Sequence, residues 1–335
     1  MQFGIFQSAQ WPQGSNQQVR LHNAVEQSVF AEVLGFDSVF MTEHHFSRHG
    51  IVSDNIAMLS YIAAKTSRIR LGTAVSVLPL HDPVRLAESI ALTDNLSGGR
   101  LDFGIGRGYQ WGEFNGFGID LEERAPMFDE AIKIILQSWA AESPFTHTGQ
   151  YWQYRDALPQ PRPFQNPHPP IWMATTSEDG FEQCVKNGWG VMLPQAVSLK
   201  LVATWVASYR SVLERQGKTF DPQRLILARG LHLGSSDSVA WSQGSGPYLE
   251  FLELAQSVAK APNSTAPPMS FDPNGIAENA MICGPARCIE QLEMIRELGI
   301  EYVIFFSNTG GLDHGLVMES LQRFSTDVMP KMKSA

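Results

Sequence analysis

The chain has 335 residues, 43% of them hydrophobic, and a formal net charge of −9. That length and apolar fraction allow a large buried core. The acidic balance, without a dense run of Lys or Arg, argues against nucleic acid or an anionic membrane as a partner, because both bind clustered positive charge. The three cysteines (Cys184, Cys283 and Cys288) are too few and too scattered for a disulfide framework, which indicates a reducing compartment.

The N-terminal segment "MQFGIFQSAQWPQGS" has neither the basic start nor the long apolar stretch of a signal peptide. A run of about 18 apolar residues, the length that spans a bilayer, does not occur in the sequence. We therefore expect a cytoplasmic protein without a membrane segment.

Short apolar runs alternate with longer segments of helical period, a pattern typical of βα units around a parallel sheet. Eight strands are predicted at 3–6, 38–41, 69–75, 101–106, 170–174, 190–193, 225–233 and 302–307. Helices are predicted at 17–34, 54–67, 82–96, 123–140, 178–188, 198–216, 285–298 and 315–330. Eight such units predict an α/β fold of the TIM (β/α)8 barrel type. A doubly wound sheet is disfavoured, because the glycines of "GIGRG" at 104–108 are too close for G-x-G-x-x-G.

Two segments are additional to the strands and helices of a minimal barrel. Residues 141–169 are rich in Pro and aromatic residues, with a short hairpin possible around "YWQY". Residues 234–280 contain a helical piece and then the loop "APNSTAPPMSFDPNG". We interpret both as insertions into a single domain, 1–335, and as candidate lids, because long loops in compact domains are usually functional or disordered.

The stretch "TEHHFSRHG" at 42–50 follows the second predicted strand and raises the question of a metal site. On an extended segment Glu43 and His45 face one side and His44 the other, and no H-x-H or H-E-x-x-H motif occurs elsewhere to complete a site. One histidine acting as general acid or base is the more economical interpretation. A metal-dependent TIM-barrel hydrolase remains an alternative, and His49 is expected to be exposed to solvent.

A second candidate site follows the fourth and fifth predicted strands. Arg107 comes after "GIGRG", where small flanking residues would let a ligand approach the backbone. Thr175 followed by Glu178 is a capping-box pattern, and a helix N-terminus lined with hydroxyls suits a phosphate. Glu178 and Asp179 would repel an anion if they turned inward, so capping alone could also explain this segment.

Several segments together resemble one family. They are "GFDSVFMTEHHF", "IRLGTAVSVLPLHDPVRLAE", "LSGGRLDFGIGRGY" with "EFNGFGIDLEERAPMFDE", "PPIWMATTSEDGFE" and, more weakly, "ICGPARCIEQLEMIRELGIEYVIFFS". The chain resembles the bacterial luciferase-like, flavin-dependent monooxygenases. The resemblance implies a barrel with insertions that binds reduced FMN (FMNH2) and activates O2 through a C4a-peroxyflavin. It also implies a separate NAD(P)H:flavin reductase as partner and a homodimer.

By the same resemblance, His44 is similar to the family's catalytic histidine. Ala74 and Val75 match the place of a non-prolyl cis peptide under the flavin ring. The residues that match the FMN site beyond that peptide are Arg107, Tyr109, Ala174, Thr175 and Thr176. Arg124 matches a recurring arginine whose role stays open between structure and flavin, and Gly106 stands where the luciferases have a cysteine, which weakens any case for light emission.

The walls of the substrate pocket are predicted to be aromatic or histidine side chains. They are Phe6, Trp11, His45, Phe46 and Trp111. Such a lining suits O2 and a small apolar organic substrate such as an aldehyde, ketone or alkane. An F420-dependent oxidoreductase of the same fold is the nearest alternative, and a non-catalytic flavin-binding subunit is a further one.

Overall fold

The computed structural model describes residues 1–259, 275 and 279–333. Its strands are β1 Gln2–Gln7, β2 Ser38–Met41, β3 Arg70–Thr73, β4 Ser76–Val77, β5 Leu101–Gly106, β6 Phe145–Thr148, β7 Gln153–Ala157, β8 Ile171–Ala174, β9 Gly190–Leu193, β10 Leu225–Leu233, β11 Ala280–Cys283 and β12 Tyr302–Phe306. All but β6 and β7 belong to one sheet.

Eight of the strands close into a parallel barrel. Neighbours around the ring are β1, β2, β3, β5, β8, β9, β10 and β12. The ring closes because β10 pairs with both β9 and β12, and β12 pairs with β1, where Gln2 lies opposite Tyr302. Every residue of β2 and of β10 is buried, as expected for parallel strands covered on both faces. The predicted TIM barrel is confirmed.

One predicted strand needs correction, and one strand of the sheet was not predicted. The predicted strand 69–75 is interrupted: β3 ends at Thr73, and a cis peptide joins Ala74 to Val75 before β4 begins. The additional strand β11 pairs only with the C-terminal half of β10, from Gly230 onward. It was missed because four apolar residues give too short a pattern to separate from a loop.

Helices fill the connections between strands. They are α1 Gln17–Leu34, α2 Asn55–Ala63, α3 Pro83–Ser97, α4 Trp111–Phe117, α5 Arg124–Ala140, α6 Glu178–Asn187, α7 Leu199–Arg215, α8 Asp237–Ala259, α9 Pro285–Glu297, α10 His314–Arg323 and α11 Met329–Lys333. Their starts follow local chemistry: Asp82 caps α3 by accepting the backbone N–H of Arg85, and Pro83 takes the first helical position. Within the described ranges, none of the helices has the length and apolar content to cross a membrane.

Alternating side chains of the strands form two packed layers. Outward residues such as Val39 and Met41 pack against the helices, whereas Phe40 points inside the barrel. The inner layer consists of Phe40, Trp172, Met192, Ile226, Ala228, Tyr302 and Ile304, with Phe6, Ala74 and Val75 against it. Gly72 is required here, because a Cβ at this position would lie 2.1 Å from the Phe40 ring. Large side chains therefore fill the barrel interior below its mouth.

The two predicted insertions pack on different elements of the barrel. Strands β6 and β7 form an antiparallel hairpin, and Glu130 of α5 accepts the backbone N–H groups of Gln150, Tyr151 and Trp152 at its turn. In the second insertion, Tyr248 and Phe251 of α8 pack on Phe306 at the end of β12 and on its neighbours. The loop predicted at 261–275 lies outside the described residues apart from 275.

Candidate active site

The predicted site residues follow neighbouring strands around one end of the barrel. Phe6 lies in β1, His44 follows β2, Ala74 follows β3, Arg107 follows β5 and Thr175 follows β8. These five strands are consecutive neighbours in the sheet. The order places the residues along one arc of the carboxyl end, where barrel active sites lie.

His44 is buried and held by Glu113 of α4, by Gln110 just before that helix, and by the backbone of Val52. Its Nδ1 lies 3.1 Å from Glu113 Oε1 and 2.9 Å from Gln110 Nε2, and its backbone N–H donates to Val52 O at 3.0 Å. Gly50 packs against the ring, because a Cβ there would lie 2.9 Å from His44 Cδ2. These contacts direct Nδ1 toward the protein and leave Nε2 without a hydrogen bond from the described residues.

His45 points to the other side of the loop and forms a cluster with Glu43 and His81. The His45 Nε2–H donates to Glu43 Oε1 at 3.0 Å, and the His81 Nε2–H donates to the same carboxylate at 2.8 Å. Burial by itself would raise the pKa of Glu43, but hydrogen bonds from His45, His81 and the Val77 N–H lower it to about 2. Burial lowers the pKa of His81, yet the Glu43 carboxylate outweighs burial and raises that pKa above its usual value.

The alternation predicted for the opening loop is confirmed. Glu43 and His45 share one side, whereas His44 bonds Glu113 on the other. The prediction for His49 was wrong: it is buried, its ring lies 4.6 Å from that of His44, and it stacks on Phe251. Burial and the nearby His44 keep the pKa of His49 well below its usual value. The reason is that α8 covers this loop, which local sequence does not reveal.

Three partners of the histidines were missed from the sequence. Glu113, Gln110 and His81 make the hydrogen bonds that orient them. A weak signal existed for Glu113, the only carboxylate in the aromatic segment "YQWGEFNGF". His81 stands at the end of "SVLPLH", one residue before the cap of α3, so its sequence position indicates a helix start rather than a partner for Glu43.

The Ala74–Val75 segment joins β3 to β4 and packs against the inner layer of the barrel. Its peptide bond is cis, the Ala74 N–H donates to Met41 O, and Asn55 Nδ2 donates to Val75 O. A Cβ at Gly106 would lie 2.5 Å from Val75 Cγ2. Gly106 thus makes room for Val75, whereas the sequence had suggested that it made room for a ligand.

Arg107 is a cation without a carboxylate partner among the described residues. Its Nε is buried and unpaired, and its guanidinium carbon lies 5.6 Å from the centre of the Phe128 ring. Strands β5 and β8 are in register with Ile105 opposite Met173, so Arg107 and Thr175 extend beyond them on neighbouring strands. An unpaired buried donor next to hydroxyl groups fits an anionic group such as a phosphate.

The turn after β8 differs from the predicted capping box. Ser177, not Thr175, caps α6 by accepting the Gly180 N–H at 3.2 Å. The Thr175 hydroxyl accepts the Ser177 N–H at 3.3 Å. Glu178 bonds Arg215 Nη2 at 2.5 Å on the exposed surface, so its charge is already paired. Serine takes the cap because its backbone is extended where the helix begins.

The remaining predicted cofactor residues lie at exposed positions of the rim. Ala174 and Thr176 are exposed, and Tyr109 is 53% exposed. Arg124, the first residue of α5, donates to Leu121 O at 2.7 Å, three residues before it in the chain.

Three of the five predicted wall residues line one cavity of about 230 Å³. His45, Phe46 and Trp111 share it with Ser257 and Val258 at the end of α8. The other two predicted wall residues lie elsewhere. The ring centres of Phe6 and Phe306 lie 5.3 Å apart. The guanidinium carbon of Arg48 lies 4.5 Å from the centre of the Trp11 ring.

These features define a class of protein: a parallel barrel whose carboxyl end carries three carboxylate-bound histidines and, on a neighbouring strand, an arginine without a carboxylate partner among the described residues. In the described part of the chain, no cluster of three His, Cys, Asp or Glu residues has the geometry to hold a metal ion. Residues 1–302 match the family described as Luciferase-like monooxygenase. The chain belongs to this family, as the sequence motifs had suggested.

Relatives of known sequence support this membership. The oxygenase component of the flavin-dependent trigonelline monooxygenase of Acinetobacter baylyi is 26% identical, over 98% of this chain and 95% of that protein. The uncharacterized protein y4vJ of Sinorhizobium fredii is 39% identical over 168 residues. In that second alignment the chain spans about half the length of its relative, 48%.

Solved structures share the whole fold. The monooxygenase RslO1 from Streptomyces bottropensis superimposes with a TM-score of 0.89 and 25% identity, over 99% of both chains. An F420-dependent secondary alcohol dehydrogenase superimposes with a TM-score of 0.76 and 20% identity, over 98% of both chains. Because its sequence identity is only 20%, the similarity to the dehydrogenase supports the fold alone.

Proposed function

We propose that this protein is an FMN-dependent monooxygenase that uses reduced FMN and O2 to oxygenate a small organic substrate. The observation that carries the proposal is Arg107, which has a buried unpaired Nε and no carboxylate partner among the described residues. A buried hydrogen-bond donor without a partner is costly, and an anionic ligand is a group that would satisfy it. The phosphate of FMN is such a ligand.

Residues of the rim take distinct roles in binding. Arg107 and the hydroxyls of Thr175 and Thr176 would hold the phosphate, and Ala174 would lie beside it. Ala74 and Val75 would form the surface under the ring system, with Tyr109 at its edge. Reduced FMN, when bound, supplies the electrons that activate O2.

His44 is the proposed catalytic residue. Glu113 and Gln110 hold its Nδ1, and Nε2 has no partner among the described residues. A fixed imidazole can hold or move one proton at Nε2, a contribution of typically 10²- to 10⁴-fold to rate. The cover formed by α8 would keep water from this face, which protects reactive species.

The cavity beside His45 suggests where the substrate binds. Phe46 and Trp111 give it aromatic walls, which favour an apolar body such as that of an aldehyde, ketone or alkane. Phe6 and Trp11 remain proposed wall residues only for a ligand that also reaches the barrel mouth.

The proposed partners follow from the chemistry. The chain lacks a dinucleotide fingerprint, so a separate NAD(P)H:flavin reductase is the proposed source of reduced FMN. The name of the Acinetobacter relative, an oxygenase component, supports a two-component system. The three cysteines of the present chain are free and buried, which is compatible with the proposed cytoplasmic location.

A homodimer through α2 and α3 is also proposed. Tyr61, Leu92 and Leu96 are 47%, 49% and 68% exposed on these helices. Exposed large apolar side chains grouped on neighbouring helices are typical of contact surfaces. Analytical ultracentrifugation of the protein and of the variant Leu92→Glu/Leu96→Glu tests this, because a dimer through these helices should dissociate in the variant.

The function is tested by comparing two cofactors. Purified protein is titrated with FMN and with F420, and turnover of candidate substrates is followed with reduced FMN, O2 and a flavin reductase. Binding of FMN with uptake of one O2 per product supports the proposal. Tight binding of F420, with substrate oxidation that needs no O2, would instead establish the F420-dependent oxidoreductase that the shared fold also allows.

A further inference from the structure

The hydrogen bonds around Glu43 determine where His45 carries its proton. The Glu43 carboxylate accepts the Val77 N–H at 3.0 Å, and the Nε2 atoms of His45 and His81 lie 3.0 and 2.8 Å from its oxygens. An ionised carboxylate can only accept hydrogen bonds, so each of these nitrogens must carry a hydrogen. Neutral His45 therefore has its hydrogen on Nε2 and its lone pair on Nδ1.

The same reasoning gives His44 the other tautomer. Glu113 Oε1 accepts the backbone N–H of His45 at 3.0 Å and lies 3.1 Å from His44 Nδ1. An acceptor at this position requires the hydrogen on Nδ1 and leaves the lone pair on Nε2. The Gln110 amide beside the same Nδ1 can turn its oxygen toward it, since the two ends of an amide are nearly interchangeable in shape.

The lone pair of His45 belongs to a side chain that lines a cavity. His45 forms part of the wall of the cavity of about 230 Å³, and no hydrogen bond from the described residues reaches its Nδ1. Phe46 and Trp111 supply the aromatic walls of that cavity. A ligand in this cavity would meet His45 together with these two aromatic rings and the polar residues Ser47, Gln110 and Glu113.

We propose that His44 and His45 are held in opposite tautomers by two separate carboxylates, and that His45 Nδ1 accepts a hydrogen bond from an O–H or N–H group of the substrate. His45 is thereby a specificity-determining residue, and Glu43 and His81 are positioning residues that act through it. The identity of the ligand as substrate rests on the proposed function, whereas the tautomers do not.

His81 has a defined part in this arrangement. It places a second donor on Glu43, and the two residues shift each other's pKa toward the charged forms, which keeps Glu43 an acceptor. The ionisable groups around the cluster are Asp54, whose charge also raises the pKa of His81, and Glu113, which accepts the His45 N–H. Neither carboxylate competes for the Nδ1 of His45.

The inference narrows the proposed substrate. Alkanes offer no hydrogen to His45, and aldehydes or ketones offer one only as hydrates or enols. An apolar, preferably aromatic body with one hydroxyl or N–H group fits both the walls and the acceptor. A single such hydrogen bond should favour a donor-bearing ligand by roughly 2- to 10-fold over a matched ligand without the donor.

Nitrogen NMR of flavin-free protein with ¹⁵N-labelled histidine tests the tautomers. His45 should show a protonated Nε2 and a bare Nδ1, and His44 the reverse, with signals assigned from His44→Asn and His45→Asn variants. Glu43→Gln should disturb the His45 tautomer and spare His44, and Glu113→Gln should do the opposite. A protonated Nδ1 on neutral His45, or no response of His45 to Glu43→Gln, would overturn the assignment.

The substrate part is tested with phenol and toluene, which differ in the donor. Phenol should shift the His45 Nδ1 signal and bind 2- to 10-fold more tightly than toluene, and His45→Phe should abolish that preference. Equal binding of the two, or no shift of Nδ1 with either, would overturn the substrate class. Because no flavin is present, these results are independent of whether FMN proves to be the cofactor.

Discussion

The histidine side and the arginine side of the rim differ in how far the protein satisfies its own polar groups. On the histidine side, Glu43 and Glu113 together accept five hydrogen bonds from His44, His45, His81 and backbone N–H groups. On the other side, Arg107 has a buried Nε without a partner, and the hydroxyls of the β8 turn lie at the surface. The polar groups on the histidine side are therefore paired within the protein, whereas Arg107 Nε is not paired with any described residue.

The difference indicates which contacts the protein makes for itself and which a ligand must supply. Buried carboxylates that are fully bonded keep catalytic side chains in place at no cost during the reaction. A guanidinium without a partner gains most from a charged ligand, because nothing has to be displaced. Substitutions on the two sides should therefore separate catalysis from binding.

The largest effect is expected for His44→Ala. Turnover should fall by about 10²- to 10⁴-fold, because a positioned acid or base is lost. Flavin affinity should stay within about 2-fold, since His44 belongs to the histidine side. Steady-state kinetics with a flavin reductase and fluorescence titration of FMN measure the two quantities. Normal turnover in this variant would remove His44 from the reaction.

Arg107→Ala should lower the affinity for flavin, the quantity that His44→Ala is expected to leave nearly unchanged. Loss of charge-assisted hydrogen bonds, about 1.5–3 kcal/mol, should weaken FMN binding by roughly 10- to 100-fold. Arg162→Ala removes an exposed arginine of the first insertion and serves as the control. If both variants bind FMN equally well, the phosphate lies away from Arg107.

His81→Asn tests the charge pair under His45. The contribution of Glu43 is present above its usual pKa of 4.5 and is lost as pH falls toward about 2. The contribution of His81 is complete below its usual pKa of 6.5 and is lost as pH rises through the raised pKa. Urea unfolding should therefore show the variant less stable by about 1–3 kcal/mol between these two pH values and closer to wild type at higher pH.

The exposed variant His22→Asn is the control for that measurement. His49, whose pKa is lowered, destabilises the protein at acidic pH but does so equally in wild type and variant, so its effect cancels in the difference. A His81→Asn deficit that did not change with pH would mean that packing, not charge, links His81 to Glu43.

The smallest effect is expected for Glu178→Gln. The carboxylate is paired with Arg215 on the exposed surface, and such pairs contribute about 0–1 kcal/mol. FMN affinity should change by less than about 2-fold, because the charge is turned away from the turn that holds Thr175. A clear gain in affinity would show that Glu178 repels the phosphate, and the arginine side would then be less open than it is here.

Local patterns in the sequence were enough for much of the fold and part of the site. The alternation of apolar runs and helical segments predicted the eight barrel strands, because strand and helix periods depend on backbone geometry alone. The opposite orientations of His44 and His45 followed from the same two-residue period. The ends of the helices were predicted less accurately: α2 ends at Ala63, whereas the sequence pattern had predicted an end at residue 67.

Only the tertiary structure decided what the histidines touch. Glu113 meets His44 across 69 positions of sequence, and His81 meets Glu43 across 38. His49 is buried because α8 brings Phe251 onto it. Such contacts depend on strand register and on which helix covers which loop, and neither leaves a local pattern. The sequence by itself determined the barrel and the arc of residues on its rim. Packing decided which of them are paired and which, like Arg107 Nε, have no partner among the described residues.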